Sequence, residues 1–164
     1  MRLLGAAPGR VRGFTLIELL VVVAIIVVMV GLAGAQLMRG PDDVVREESE
    51  HLALLLRAVR EEAILQGRVY AFGAGRETYR FLRLERNGRL KVARGEELFR
   101  PQRLPAGTVI EAFKVEGAGD AAQDGVVFLP SGELPAFRIV LRNGGARWSV
   151  VGAPDGTIRA QAAS

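Results

Sequence analysis

Side chains capable of chemistry are sparse in this 164-residue sequence and, with one exception, stand alone. There is no cysteine, so thiol nucleophiles, thiolate metal sites and disulfides are all excluded. His51 is the single histidine, and no cluster of ligand-type residues accompanies it. Asp120 and Asp124 share a loop, but their spacing does not fit a calcium-binding loop and suits solvated carboxylates. No Gly-Lys-Ser/Thr, His-Glu-x-x-His or Gly-x-Ser-x-Gly occurs. Gly73-Ala74-Gly75 is a lone Gly-x-Gly with no helical pattern after it. These observations argue against an enzyme, and neither a cofactor nor a metal is expected. The exception is Glu18. It sits just inside a long apolar run, where a carboxylate without a partner is costly and usually marks function.

The element that must carry Glu18 is plain. From Leu19 to Ala35 the chain reads LLVVVAIIVVMVGLAGA, without a charge or a strongly polar group. Extended to Met38, the run is about 20 residues, or roughly 30 Å as a helix, which matches the hydrocarbon core of a bilayer. Arg2, Arg10 and Arg12 precede it and hold that end at the cytoplasmic surface. They also account for most of the basic excess. The formal charge is +4, and without these three the remaining 19 basic residues face 18 acidic ones. The rest of the chain is therefore near neutral, not a polycation built for nucleic acid. A cleaved secretory signal shares the order basic, apolar, small. Its apolar stretch is usually only about 7–15 residues, however, and Gly13-Phe14-Thr15-Leu16-Ile17-Glu18 is foreign to it.

Those residues, continued through Leu19-Leu20-Val21-Val22, resemble the type IV prepilin signature shared by pilins and by the pseudopilins of type II secretion. The resemblance implies that a membrane peptidase cuts after Gly13 and that Phe14 becomes the N-methylated first residue. A glycine before the scissile bond lets the backbone lie extended in a protease cleft. Glu18 then has a partner in the Phe14 amine, of its own chain or of a neighbouring subunit, and the pair would set axial register during assembly. The apolar segment lacks the helix-kinking proline frequent in major pilins. Gly31 and Gly34 could loosen the helix in its place, and Gly31 with Ala35 also fits a small-xxx-small contact.

Arg39-Gly40-Pro41-Asp42-Asp43 interrupts the apolar run and marks a membrane exit, with Pro41 either a kink or a fresh start. From Val44 the pattern becomes amphipathic. Val44, Val45, Glu48, Leu52, Leu55, Leu56, Val59, Ala63 and Ile64 form a stripe of helical period that ends at Gln66-Gly67. After Gly67 the period switches to two. Strands are predicted over Arg68–Phe72, Thr78–Glu85, Arg89–Ala93, Thr108–Val115, Val126–Leu129, Phe137–Arg142, Arg147–Val151 and Thr157–Ala160. Asn87-Gly88 makes a hairpin signal between the second and third. Gly117–Gly125 reads as a surface loop. Short strands at this spacing predict an antiparallel β-sandwich or two small sheets.

Within this part, Leu52–Gly67, Val126–Gly132 and Arg147–Ile158 resemble the GspH/FimT family of minor pseudopilins and minor pilins. The fold class implied is α+β and pilin-like, with a long N-terminal transmembrane helix packed on an antiparallel β-sheet or sandwich domain. The expected organisation is a cleaved leader over 1–13 and a transmembrane helix over 14–38. An amphipathic helix continuing it spans 39–67, and a β-rich periplasmic domain spans 68–164. The resemblance further implies a minor pseudopilin near the tip of a short periplasmic filament of a type II secretion system, anchored by a single pass in the bacterial inner membrane. Its expected partners are other pseudopilins or pilins, the prepilin peptidase, inner-membrane lipid and the inner-membrane assembly platform. The alternative is a FimT-like minor type IV pilin serving pilus assembly or DNA uptake. Against a DNA surface, Arg138, Arg142, Arg147 and Arg159 are thinly spread, and the tail from Arg159 to Ser164 carries one charge.

Overall fold

A computed structural model describes residues 16–37, 40–92, 99–117 and 125–163, with the side chains of the first helix described as far as Met29. The chain divides into two compact units, Met1–Arg39 and Gly40–Ser164. In the first, helix α1 runs from Leu16 to Leu37. Among the described residues no helix is long and apolar enough to cross a membrane. The expected span of 14–38 begins and ends outside the residues whose side chains are described.

In the second unit, helix α2 covers Pro41–Gln66, and both its ends follow from sequence. Gly40 is extended at φ −71°, Pro41 supplies a preset φ where no N–H is needed, and Asp42 and Asp43 place negative charge in the first turn. At the other end Gly67 turns left-handed at φ 61°. Its N–H reaches the Ile64 carbonyl, while the Arg68 N–H reaches that of Ala63, which together satisfy two terminal carbonyls. The buried face consists of Val45, Ser49, Leu52, Ala53, Leu56, Val59 and Ala63. The expected stripe is thus present but rotated slightly, because Ile64 lies on the exposed edge while Ser49 and Ala53 point inward.

Among the described residues nine strands follow: β1 Tyr70–Ala74, β2 Thr78–Leu84, β3 Leu90–Val92, β4 Gln102–Arg103, β5 Thr108–Val115, β6 Gly125–Phe128, β7 Phe137–Asn143, β8 Ala146–Gly152 and β9 Ile158–Ala162. They form two antiparallel sheets. One has the order β3-β2-β1-β6, with β4 pairing the start of β2, and the other has the order β5-β7-β8-β9. The two-residue β4 escaped prediction because it is too short for an alternating pattern. The hairpin at Asn87-Gly88 also differs from the two-residue loop that this dipeptide favours. Gly88 donates to the Glu85 carbonyl and takes φ 76°, so it closes a three-residue loop in which only the glycine is left-handed.

Alternation explains the layers. Tyr70, Phe72, Tyr79, Phe81, Val126 and Phe128 face inward from the first sheet, and Phe137, Ile139, Leu141, Val150 and Ile158 from the second. Helix α2 packs mainly against β8 and β9. At the centre, the Phe72 ring lies 5.6 Å from Phe81 and meets Phe113 edge-on at 5.8 Å.

One carboxylate enters this packing. Glu48, half-buried on the α2 stripe, accepts a hydrogen bond from the Tyr79 hydroxyl at 3.3 Å. Burial pushes the Glu48 carboxyl above its ordinary value, against the opposing pull of His51 and of the Tyr79 hydrogen bond. A carboxyl raised by folding holds its proton more tightly in the native state. Its contribution to stability is therefore fully present below the ordinary carboxylate value and is lost as pH rises through the shifted one. Glu48→Gln is expected to flatten that part of the stability–pH curve, measured by urea unfolding from pH 4 to 8. An unchanged slope would show that Glu48 does not carry it.

Candidate functional site

Among the described residues, nothing resembles a reaction centre. No group of acids and histidine could hold a metal. His51 is exposed on α2. Gly73-Ala74-Gly75 ends β1 and opens a turn, with Gly75 N–H bonded to the Thr78 carbonyl, so strand follows it and no helix N-terminus is present to cradle phosphate. Asp120 and Asp124 lie outside the described residues.

The feature that stands out is α1 itself. Gly13 and Phe14 lie outside the described residues, while Glu18 occupies the first turn of α1, where a carboxylate suits the positive end of the helix dipole. Glu18 is exposed, and so is every large apolar side chain from Leu16 to Met29, with exposures from 46% at Val22 to 84% at Leu16. Valines, isoleucines and leucines line every side of this stretch, so no polar face exists to hold it in water. An exposed apolar surface of this extent marks an interaction site. Its chemistry is association.

Two of the arginines weighed as a nucleic-acid surface prove to be engaged. A register shift between Ile110 and Ala112 drops Glu111 out of the β5–β7 ladder. Arg147 then clamps its carboxylate with two bonds, at 2.8 and 3.0 Å, and Arg142 approaches at 3.2 Å. The hydrogen bond from Arg147, with Arg142 assisting, holds the Glu111 carboxyl below its usual range. Two of the four candidate arginines thus spend their charge on a cross-strand ion cluster, leaving Arg138 and Arg159 exposed on β7 and β9. Nothing in the sequence flagged Glu111, since a bulge residue has no periodic signature.

Other ties hold the second unit together. Trp148 Nε1 donates to Asp42 at 3.2 Å, linking β8 to the first turn of α2. Arg60 Nε donates to the Gly132 carbonyl at 3.0 Å. A Cβ at Gly132 would crowd the Arg60 guanidinium at 3.2 Å, so the glycine leaves it room.

Comparison with known proteins agrees with this architecture. The family model described as Type II transport protein GspH matches residues 48–156, and the prokaryotic N-terminal methylation motif matches residues 9–34. The chain is 37% identical over 153 residues to the Type II secretion system protein H of Pseudomonas aeruginosa, covering 82% of this chain and 84% of that protein. Among solved structures, two of the minor pseudopilin EpsH from the type II secretion system of Vibrio cholerae match with TM-scores of 0.64 and 0.61, at 20% and 22% identity. They cover 76% and 73% of this chain and 98% of each EpsH chain. The type IV minor pilin FimU of Pseudomonas aeruginosa matches with a TM-score of 0.53 at 15% identity, over 71% of this chain and 87% of that one. At these identities the solved structures speak for the fold, which is α+β with a helix packed on antiparallel sheets. From the match over residues 48–156 and the 37% identity to a protein H, the chain belongs to the GspH family.

Proposed function

We propose that this chain is a minor pseudopilin of a type II secretion system, a structural subunit of the periplasmic pseudopilus that drives protein export. The observation that carries the reading is the 37% identity to a type II secretion system protein H across most of both chains. The FimU likeness is weaker and speaks for the fold alone, so the minor-pilin alternative gains no observation of its own.

In this reading the leader ends at Gly13, and Phe14 is the N-methylated first residue, in keeping with the methylation-motif match over residues 9–34. Residues 14–38 anchor the chain in the inner membrane by a single pass, 39–67 carry the amphipathic helix α2, and the β-rich domain over 68–164 stands in the periplasm. Lipid covers the exposed apolar side chains of α1 before assembly, and neighbouring subunits cover them afterwards. Glu18 meets a Phe14 amine at the helix start, which neutralises both charges inside the apolar layer and fixes the axial step between subunits. The prepilin peptidase and the inner-membrane assembly platform are the transient partners. The role is mechanical, and no bond of a substrate is made or broken by this chain.

The test is Glu18→Ala in a strain that secretes through this system. The variant is expected to be processed normally yet to be lost from sheared or cross-linked pseudopilus fractions, with secretion falling by about tenfold or more, the scale of losing a charge pair in a water-poor setting. Incorporation at wild-type levels would remove Glu18 from the assembly contact.

A further inference from the structure

Where α2 ends, a hollow of about 730 Å³ opens between the helix terminus and the hairpin of β2 and β3. Arg68, Arg83 and Arg86 line it together with Val69, Leu84 and Glu85. Arg68 and Arg86 are exposed, and Arg83 is partly covered. Among the described residues, no carboxylate stands within ion-pair distance of these three arginines. The one carboxylate in the wall, Glu85, is already taken. Lys91 Nζ lies 3.0 Å from it, and the Asn87 amide donates to it at 3.5 Å.

Strand register adds to the positive charge. Arg83 stands directly opposite Lys91 in the ladder of β2 and β3. Like charges in that position destabilise a strand pair, and Glu85 bonds the lysine, not the arginine. Residues 68–92 as a whole hold seven basic and two acidic residues, a net +5. A concave wall of one sign concentrates potential and draws anions. The rest of the lining says which anion. Helix α2 presents its C-terminal, negative end here, the opposite of the N-terminal amides that hold phosphate. A singly charged carboxylate suffers less from that end than a doubly charged phosphate, and its two oxygens match a guanidinium fork. Val69 and Leu84, the latter 38% exposed, add aliphatic surface beside the arginines. Acidic and aliphatic side chains in alternation are what an extended protein segment offers. Nucleic acid fits less well, because none of the described lining residues is aromatic and bases would find no stacking platform.

We propose that this hollow is a carboxylate-binding site that takes an acidic, aliphatic segment of another protein. The carboxylates of that segment supply the partners that Arg68, Arg83 and Arg86 lack, and its aliphatic side chains cover Val69 and Leu84. The inference stands on the hollow itself and does not need the pseudopilin reading. Within that reading, it gives the Gly40–Ser164 unit a contact of its own, made by charge and independent of the apolar surface of α1.

The test titrates the full-length chain, in a non-ionic detergent, into a fluorescein-labelled peptide Leu-Glu-Leu-Glu-Glu and reads binding by anisotropy. The peptide Leu-Gln-Leu-Gln-Gln is expected to bind about tenfold more weakly. Arg83→Gln is expected to weaken the glutamate peptide by about tenfold, the scale of one charge-assisted hydrogen bond. The pair Arg68→Gln and Arg86→Gln, both exposed and so without effect on folding, is expected to do the same. Arg138→Gln removes the same charge from β7 and is expected to leave the affinity unchanged. An equal loss in Arg138→Gln would overturn the proposal, since net charge alone would then explain binding. A glutamine peptide that binds as tightly, or no binding at about 1 mM glutamate peptide, would overturn it as well. Displacement of the peptide by inorganic phosphate or duplex DNA, at concentrations where glutarate has no effect, would overturn it in favour of a phosphate site.

Discussion

Gly13→Ala is expected to leave the precursor uncut in the inner membrane, with the leader still attached to Phe14. The residue before the scissile bond must lie extended with its backbone close to the peptidase, and a glycine offers no Cβ to hold the two apart. Displacing a reacting bond by about 1 Å is enough to slow a reaction by about a hundredfold, and that is the expected loss in processing rate. Pulse-labelling followed by mass spectrometry of the N-terminus measures it, since in the proposed reading the mature chain begins with methylated Phe14. Mature chain appearing at the wild-type rate would move the cleavage site away from Gly13. The unit over Gly40–Ser164 is separate from this event and should melt at the same temperature in both forms.

The second large effect belongs to the core. Gly152 is buried at the end of β8, between Phe137 on β7 and Ile158 on β9. A Cβ there would overlap the Phe137 ring, standing 2.6 Å from its Cζ and closer still to Cε1. Phe137 cannot yield cheaply, since it is itself buried in the central cluster. Gly152→Ala should therefore cost about 3 kcal/mol, the upper range for overpacking, and lower the melting temperature by about 10 °C. Phe137→Leu in the same chain should restore part of the loss by making room. Circular dichroism of the single and double variants decides the matter. An unchanged melting temperature for Gly152→Ala would mean that the ring and strand move apart without strain.

Much of this fold is visible in the one-dimensional pattern because the elements that bury surface have periods. The helix stripe from Val45 to Ala63 and the alternation in Thr78–Leu84 or Phe137–Asn143 follow directly from facing a core on one side. Gly67 and Pro41 mark helix ends for stereochemical reasons that need no context. Sheet membership is another matter. The predicted strands carry no sign that β6 joins β1 across some fifty residues of chain, or that β5 skips it to pair with β7. Pairing partners are chosen by the assembled core. The arginine at 147 shows the same limit for side chains. It reads as a free cation in sequence, and only the bulge that swings Glu111 toward it reveals a neutralised pair. The candidate site divides likewise. Glu18 stands out in any reading because a carboxylate in an apolar run violates a strong rule. The tie from Trp148 to Asp42 does not, because 106 residues separate the partners and only the fold brings them together.

The hydrogen bond from Trp148 to Asp42 gives the molecule a built-in optical gauge. Trp148 is the sole tryptophan, so intrinsic emission comes from one indole whose N–H is tied to the first turn of α2. If that turn peels from β8 while the sheets stay folded, the indole exchanges a carboxylate for water and its emission moves to the red. Secondary structure followed by circular dichroism would barely change. Fluorescence can thus resolve a fraying of the N-terminal end of α2 separately from global melting, with no label added.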